Sequence, residues 1–262
     1  MNRDESPTLP EAEEPPSGVP RMVPGRKWIR AMINGQVVVD SRAFTFVWEI
    51  PYWPTWFFRP DDLHGELKEA NDAPSGHGDL AGAQRYDFHT AGKVLAGAAK
   101  RYPDSPSEQL RELVTIDFTA VDRWFEEDVE VFVHPRSPFT RVDALTSSRH
   151  VVVSIDDVVL ADSHKPTMLF ETGAPTRHYL PMTDVNMGLL EPSTTRSSCP
   201  YKGDASYWSV SINDRVERNI AWSYRTPMPE ATAIAGLVCF YDEKLDIDID
   251  GTRQPRPDTH FA

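Results

Sequence analysis

The chain holds two cysteines in 262 residues, Cys199 and Cys239. Two thiols exclude a disulfide framework and a four-cysteine zinc site, and no paired His/Cys spacing supplies the missing ligands. No metal and no cofactor is expected. Nowhere do 18 apolar residues run together, which excludes a membrane-spanning helix. The opening MNRDESPTLPEAEEPPSGVPRMVPG has no apolar core of a secretory signal, so the expectation is a cytoplasmic protein with reduced thiols. Positive charge is also scarce. There are 27 Lys and Arg against 40 Asp and Glu, a net −13, which repels nucleic acid and anionic membranes and favours solubility. The rest is ordinary globular composition, 40% hydrophobic and 26% charged, at a length that suits one large domain or two small ones.

What the chain does have is an internal repeat. Asp40-Ser41 recurs as Asp162-Ser163, Trp48-Glu49 as Phe170-Glu171, Ala99 and Tyr102 as Ala221 and Tyr224, and Glu108 as Glu230, each 122 residues later. An offset held over about 75 positions marks a tandem duplication. Both copies read as β structure. Ile29 to Val39 is a hairpin around Asn34-Gly35, which suits a type I′ turn, and Val151 to Ala161 repeats it around Asp156-Asp157. YDFHTAGKVLAG and YWSVSINDRVER read as second hairpins turning at Ala91-Gly92 and Asn213-Asp214, with late strands at Leu113 to Phe118 and Ile234 to Tyr241. Helix signals are few. Ser105-Pro106-Ser107-Glu108 predicts a short helix with proline at its first position, and 59–70 is a second candidate. The division expected is a disordered Pro/Glu arm at 1–25, repeats at 26–143 and 144–251, and a tail at 252–262.

The segments CPYKGDASYW (199–208), AWSYRTPMPEA (221–231), IAGLVCFY (234–241) and WFEEDVEVFVHP (124–135) resemble the family called domain of unknown function 427, in its two-copy bacterial form. The resemblance covers about residues 26 to 251 and implies two tandem β-tent-like domains, mainly antiparallel β with few short helices. That fold looks like methionine sulfoxide reductase B and the drug-binding domain of cereblon. Many such domains carry a four-cysteine zinc, from which this chain departs. A nucleotidyltransferase label also attaches to the family. Asp246, Asp248 and Asp250 of LDIDIDG could hold Mg²⁺ for such chemistry. The plainer reading is the solvent face of an edge strand, and no glycine-serine phosphate loop lies upstream.

Candidate chemistry concentrates in the second copy. Cys199 precedes the turn Pro200-Tyr201-Lys202-Gly203, where a nearby ammonium could favour the thiolate. The alternative is a small buried residue in a tight turn, and at the same offset the first copy has His77. Tyr179, Tyr201, Tyr207, Trp208, Trp222 and Tyr224 are core or the wall of an aromatic pocket, with Tyr207 and Trp208 on opposite strand faces and Trp222 and Tyr224 on one. Arg177 and Lys202 could bind a ligand's carboxylate or phosphate. Glu171 is either a base or a salt-bridge partner of Arg177. The expectation is a protein binding a small polar or anionic molecule in the second copy, through Arg177, Tyr179, Lys202, Tyr207, Trp208, Trp222 and Tyr224. One alternative is an enzyme using Cys199 or Glu171. Another is an interaction module built on Trp53, Trp56, Phe57 and Phe58, unless that patch is domain contact.

Overall fold

The computed structural model describes residues 19–70, 79–212 and 215–259. The chain divides into two compact units after Pro135. Each is built of three antiparallel sheets, and the strand order is the same in both. In the first unit, Met22–Pro24, Thr45–Val47 and Thr55–Phe57 form a three-stranded sheet. Val129–Val131, Arg123–Glu126, Ile29–Ile33 and Gln36–Ser41 form a second, and Glu66–Glu69, Gln84–Thr90, Lys93–Arg101 and Thr115–Ile116 a third. The second unit repeats this with Val142–Thr146, Thr167–Glu171 and Arg177–Tyr179. Its four-stranded sheets are Thr252–Arg253, Asp246–Ile249, Val151–Ile155 and Val158–Ser163, then Leu190–Cys199, Gly203–Ile212, Arg215–Tyr224 and Cys239–Phe240.

Register repeats along with order. Ile29 pairs with Ser41 as Val151 pairs with Ser163, and the bulge between Ala31 and Met32 recurs between Val153 and Ser154. The repeated Asp-Ser has a structural reason. Ser41 donates to Asp62 and Ser163 to Asp184, both at 2.7 Å, tying each hairpin to the 3-10 turn that follows. The hairpin turns take the left-handed conformation that their residues tolerate: Asn34 and Gly35 at φ 51° and 76°, Asp156 and Asp157 at 46° and 62°. The Asn213-Asp214 turn and His77 lie outside the described residues.

Four expectations need correction. Met22–Pro24 is not part of a free arm; it pairs with Thr45–Val47, because Val23 has an apolar cluster to pack on. The rest of that arm, 1–18, lies outside the described residues, as do 260–262 of the tail. The tail begins as strand Thr252–Arg253, and Thr259 donates to Glu243 at 2.6 Å. The short helix is Glu108–Arg111 with Ser107 as its cap, accepting from the Leu110 N–H, so proline stands before the cap rather than inside the helix. Residues 59–70 hold a 3-10 turn at Pro60–Asp62 and then the strand Glu66–Glu69, in which Leu67 is half-buried and Glu66, Lys68 and Glu69 are exposed.

Each unit has its own apolar core. In the first, Trp56, Phe58, Phe88 and Trp124 are buried, with the Phe58 and Trp124 rings stacked at 5.9 Å. Side chains of this size remove much of the apolar area that a small β domain buries, about 1.5–3 kcal/mol each. Trp56 is therefore core. Of the aromatics in the PYWPTWFF stretch only Tyr52 and Trp53 are exposed, so Trp56, Phe57 and Phe58 do not form the surface patch that the interaction-module alternative needs.

Candidate functional site

In the second copy the fold gathers most of the aromatics that the sequence singles out. Tyr179, Trp222 and Tyr224 are buried in one cluster with Leu169, Ala205 and Cys239, and Tyr207 packs against it. Trp208 faces the other way and packs on the opposite cluster with Val210 and Ile220, as strand alternation requires. The Trp222 indole N–H donates to the Tyr179 hydroxyl at 3.2 Å. Burial pushes the phenols of Tyr179 and Tyr224 far up, so both are neutral.

Arg177 and Glu171 are both paired, but not to each other. Arg177 makes a bidentate bond to Glu243 at 2.8 and 2.6 Å, and its guanidinium lies 5.6 Å over Trp222 and 5.9 Å over Tyr241. Burial alone would raise the Glu243 carboxyl, but the bonds from Arg177 and Thr259 outweigh it and hold it at about 2. Glu171 takes the Lys202 ammonium instead. Both side chains of that pair are mostly covered, and Cys199 and Tyr201 lie close by. Among the described residues no base hydrogen-bonds to the Cys199 thiol. Cys239 is fully buried, and burial, with Asp242 nearby, pushes its thiol far up, which makes it a packing residue.

The three aspartates of LDIDIDG are paired. Arg253 takes Asp246 and Asp248, Arg256 takes Asp246, and Arg149 takes Asp250. Asp246–Ile249 is flanked by strands on both sides, not at an edge as expected, and Asp250 leaves it in a left-handed turn.

Sequence reasoning passed over a cavity of about 320 Å³ in the first copy. One wall is aromatic: Trp53, Trp56, Phe118, Trp124 and the His134 imidazole, which stacks on Trp53 at 4.9 Å. Burial holds that imidazole below the usual histidine range. The other wall is ionic. Lys100 donates to Glu49 at 2.6 Å and Asp79 at 2.7 Å. Arg85 grips Asp79 through two bonds of 3.0 Å and reaches Asp117 at 2.6 Å. The Tyr102 hydroxyl donates to Glu49; burial and that carboxylate push its pKa far up, so it stays a donor. Two residues that line the cavity, Trp56 and Arg85, each keep a buried N–H, Nε1 and Nε, that has no acceptor among the described residues.

Sheet register aligns the two sites. Ala99 pairs with Ile116 as Ala221 pairs with Phe240. The turns Asp117 to Ala120 and Tyr241 to Lys244 close with the same hydrogen bond. The cavity residues Thr55, Arg85, Lys100, Asp117 and Thr119 thus correspond to Arg177, Tyr207, Trp222, Tyr241 and Glu243. In the second copy those five pack on one another. The Trp222 and Tyr241 rings are 4.6 Å apart, Tyr207 hydrogen-bonds Tyr241, and the Arg177–Glu243 pair covers both rings.

A family model described as a domain of unknown function (DUF427) matches the chain twice, at residues 21–127 and 143–251. The chain belongs to that family. No curated protein matches it. Within the two DUF427 copies, the glutamate at or just past the end of the strand is shared, Glu49 and Glu171, while its lysine changes place. In the first copy it is Lys100, where the second has Trp222; in the second it is Lys202, where the first has Leu80. The sequence signal for the missed cavity was present in that exchange of Lys100 for tryptophan, beside Arg85 and Asp117 exchanged for two tyrosines.

Proposed function

We propose that this protein binds a small polar or anionic molecule, and that the cavity of the first DUF427 copy is where it does so. The observation that carries this reading is the cavity itself, whose aromatic wall faces buried charged groups and whose lining residues Trp56 and Arg85 each keep a buried N–H without an acceptor among the described residues. A buried donor without an acceptor costs about 1–3 kcal/mol, so a ligand bringing an acceptor such as a carboxylate, phosphate or carbonyl oxygen would relieve it. The aromatic wall of Trp53 and His134 offers a flat surface to the ligand's less polar part.

A thermal-shift screen of small carboxylates, phosphates and amides tests it, because a ligand of the native state raises apparent stability. Compounds that stabilise the protein should lose their effect in Trp53→Ala, a substitution at a half-exposed wall residue. Hits indifferent to Trp53→Ala would move the site elsewhere. A second reading keeps the ligand in the second copy, and the Lys202–Glu171 pair favours it. That pair keeps some solvent exposure, 13% and 16% of its side chains, beside the half-buried Cys199. Hits lost in Lys202→Met and kept in Trp53→Ala would select that site.

A further inference from the structure

The second copy carries a cluster that neither site uses. His150 stands just before the strand Val151–Ile155, and Asp162 and His164 end the facing strand and its exit. Val151 pairs with Ser163 and Val152 with Asp162, so His150 comes level with His164 across the hairpin. Val151 and Ser163 point inward and are buried; strand alternation sends His150, Asp162 and His164 to the outer face. The His150 and His164 rings stack at 4.0 Å, 12° from parallel, and His150 Nε2 lies 2.7 Å from Asp162 Oδ1. One donor atom from each residue lies within 4.8 Å of the other two.

We propose that His150, Asp162 and His164 bind a divalent transition metal of the zinc class. Two imidazoles and one carboxylate are a donor set suited to such ions, whereas Mg²⁺ prefers oxygen ligands. Bond lengths of about 2.0–2.2 Å require the donors to draw together by roughly an ångström, and all three side chains sit at the surface, free to adjust. With three protein ligands the fourth position faces solvent. The first copy shows what the same scaffold does without this chemistry. At the matching positions stand Trp28, Asp40 and Arg42: Trp28 Nε1 donates to Asp40 at 2.6 Å and Arg42 lies 4.6 Å over the indole. The aspartate is common to both, and only the second copy flanks it with imidazoles. A search for paired ligand spacing misses this set because the hairpin, not the local sequence, brings His150 to the other two.

The test uses the full chain without a histidine tag, stripped with chelator and titrated calorimetrically with Zn²⁺ and, separately, Mg²⁺ at neutral pH. One Zn²⁺ per chain and no Mg²⁺ binding are expected, with the imidazole resonances of His150 and His164 shifted by Zn²⁺. His164→Ala should weaken binding at least about tenfold. The double variant His150→Trp/His164→Arg carries the first copy's own side chains on the same hairpin, so it should fold and bind no Zn²⁺ there. Absence of Zn²⁺ binding to the wild type, or equal binding by the folded double variant, would overturn the proposal.

Discussion

The two DUF427 copies share a backbone and differ in how they fill one place in it. In the first, Thr55 and Thr119 are small and leave a cavity between an aromatic and an ionic wall. In the second, the same positions hold Arg177 and Glu243, an ion pair lying over Trp222 and Tyr241. Duplication thus leaves the sheet register untouched, because register is fixed by turns and inward-facing residues, and frees the side chains between the sheets to diverge. The strand-end glutamate is kept and its cation relocated, as electrostatics demands: a buried carboxylate needs a partner, but the partner can come from a neighbouring strand.

Lysine removal should separate the copies most sharply. Lys100 sits between two carboxylates, with all three side chains about nine-tenths or more covered, so Lys100→Met leaves uncompensated charge and should destabilise the first copy by about 3–5 kcal/mol. Lys202→Met leaves only Glu171, which has some access to water, and should cost roughly 1 kcal/mol. Hydrogen exchange resolved by copy measures both. Equal losses would break the contrast in burial.

Acid should act on the second copy through Glu243. Its carboxyl is held at about 2 in the folded protein, below the unfolded value of about 4.3, so the stabilisation is complete above the unfolded value and disappears as pH falls through 2. The span should be about 2 kcal/mol once solvent screening is allowed for. Glu243→Gln should flatten the second copy's stability between about pH 5 and 2 in urea titrations. The first copy has Thr119 there and no such component. A smaller contrast concerns two tyrosines 122 residues apart. The Tyr102 hydroxyl donates to Glu49 and accepts from the Leu80 N–H, so Tyr102→Phe should cost about 1–2 kcal/mol. No hydrogen bond of the Tyr224 hydroxyl is found among the described residues, and Tyr224→Phe should change stability by about 0.5 kcal/mol or less. Matching losses would show that the hydroxyls play equal parts.

The architecture was readable because its signals are local or periodic. Asn34-Gly35 and Asp156-Asp157 announce left-handed turns, and the 122-residue offset announces two domains of one topology. Strand alternation made the shared face of Trp222 and Tyr224 and the opposite faces of Tyr207 and Trp208 legible, while the packing of Tyr179 and Tyr207 with that pair came only with the fold. Pairing was not legible. Arg177 was the cation expected for Glu171, and only the tertiary fold assigns Glu171 to Lys202 and gives Arg177 to Glu243, 66 residues away. The cavity was missed for the same reason. Glu49, Asp79, Arg85, Lys100 and Asp117 come from separate strands and loops, and nothing in their spacing announces that they meet. Trp56 read as surface because it sits among prolines and other aromatics, yet its strand turns it inward.

The most direct test exchanges the side chains that distinguish the copies. Thr55→Arg/Thr119→Glu brings the second copy's ion pair to the first copy's cavity, on a backbone that already accommodates it at the matching positions. Thermal shifts with the small anions that stabilise the wild type are compared between this variant and Lys202→Met. Loss of the shift in the double variant, with the shift retained in Lys202→Met, is the expected result; a shift kept in the double variant and lost in Lys202→Met would contradict it.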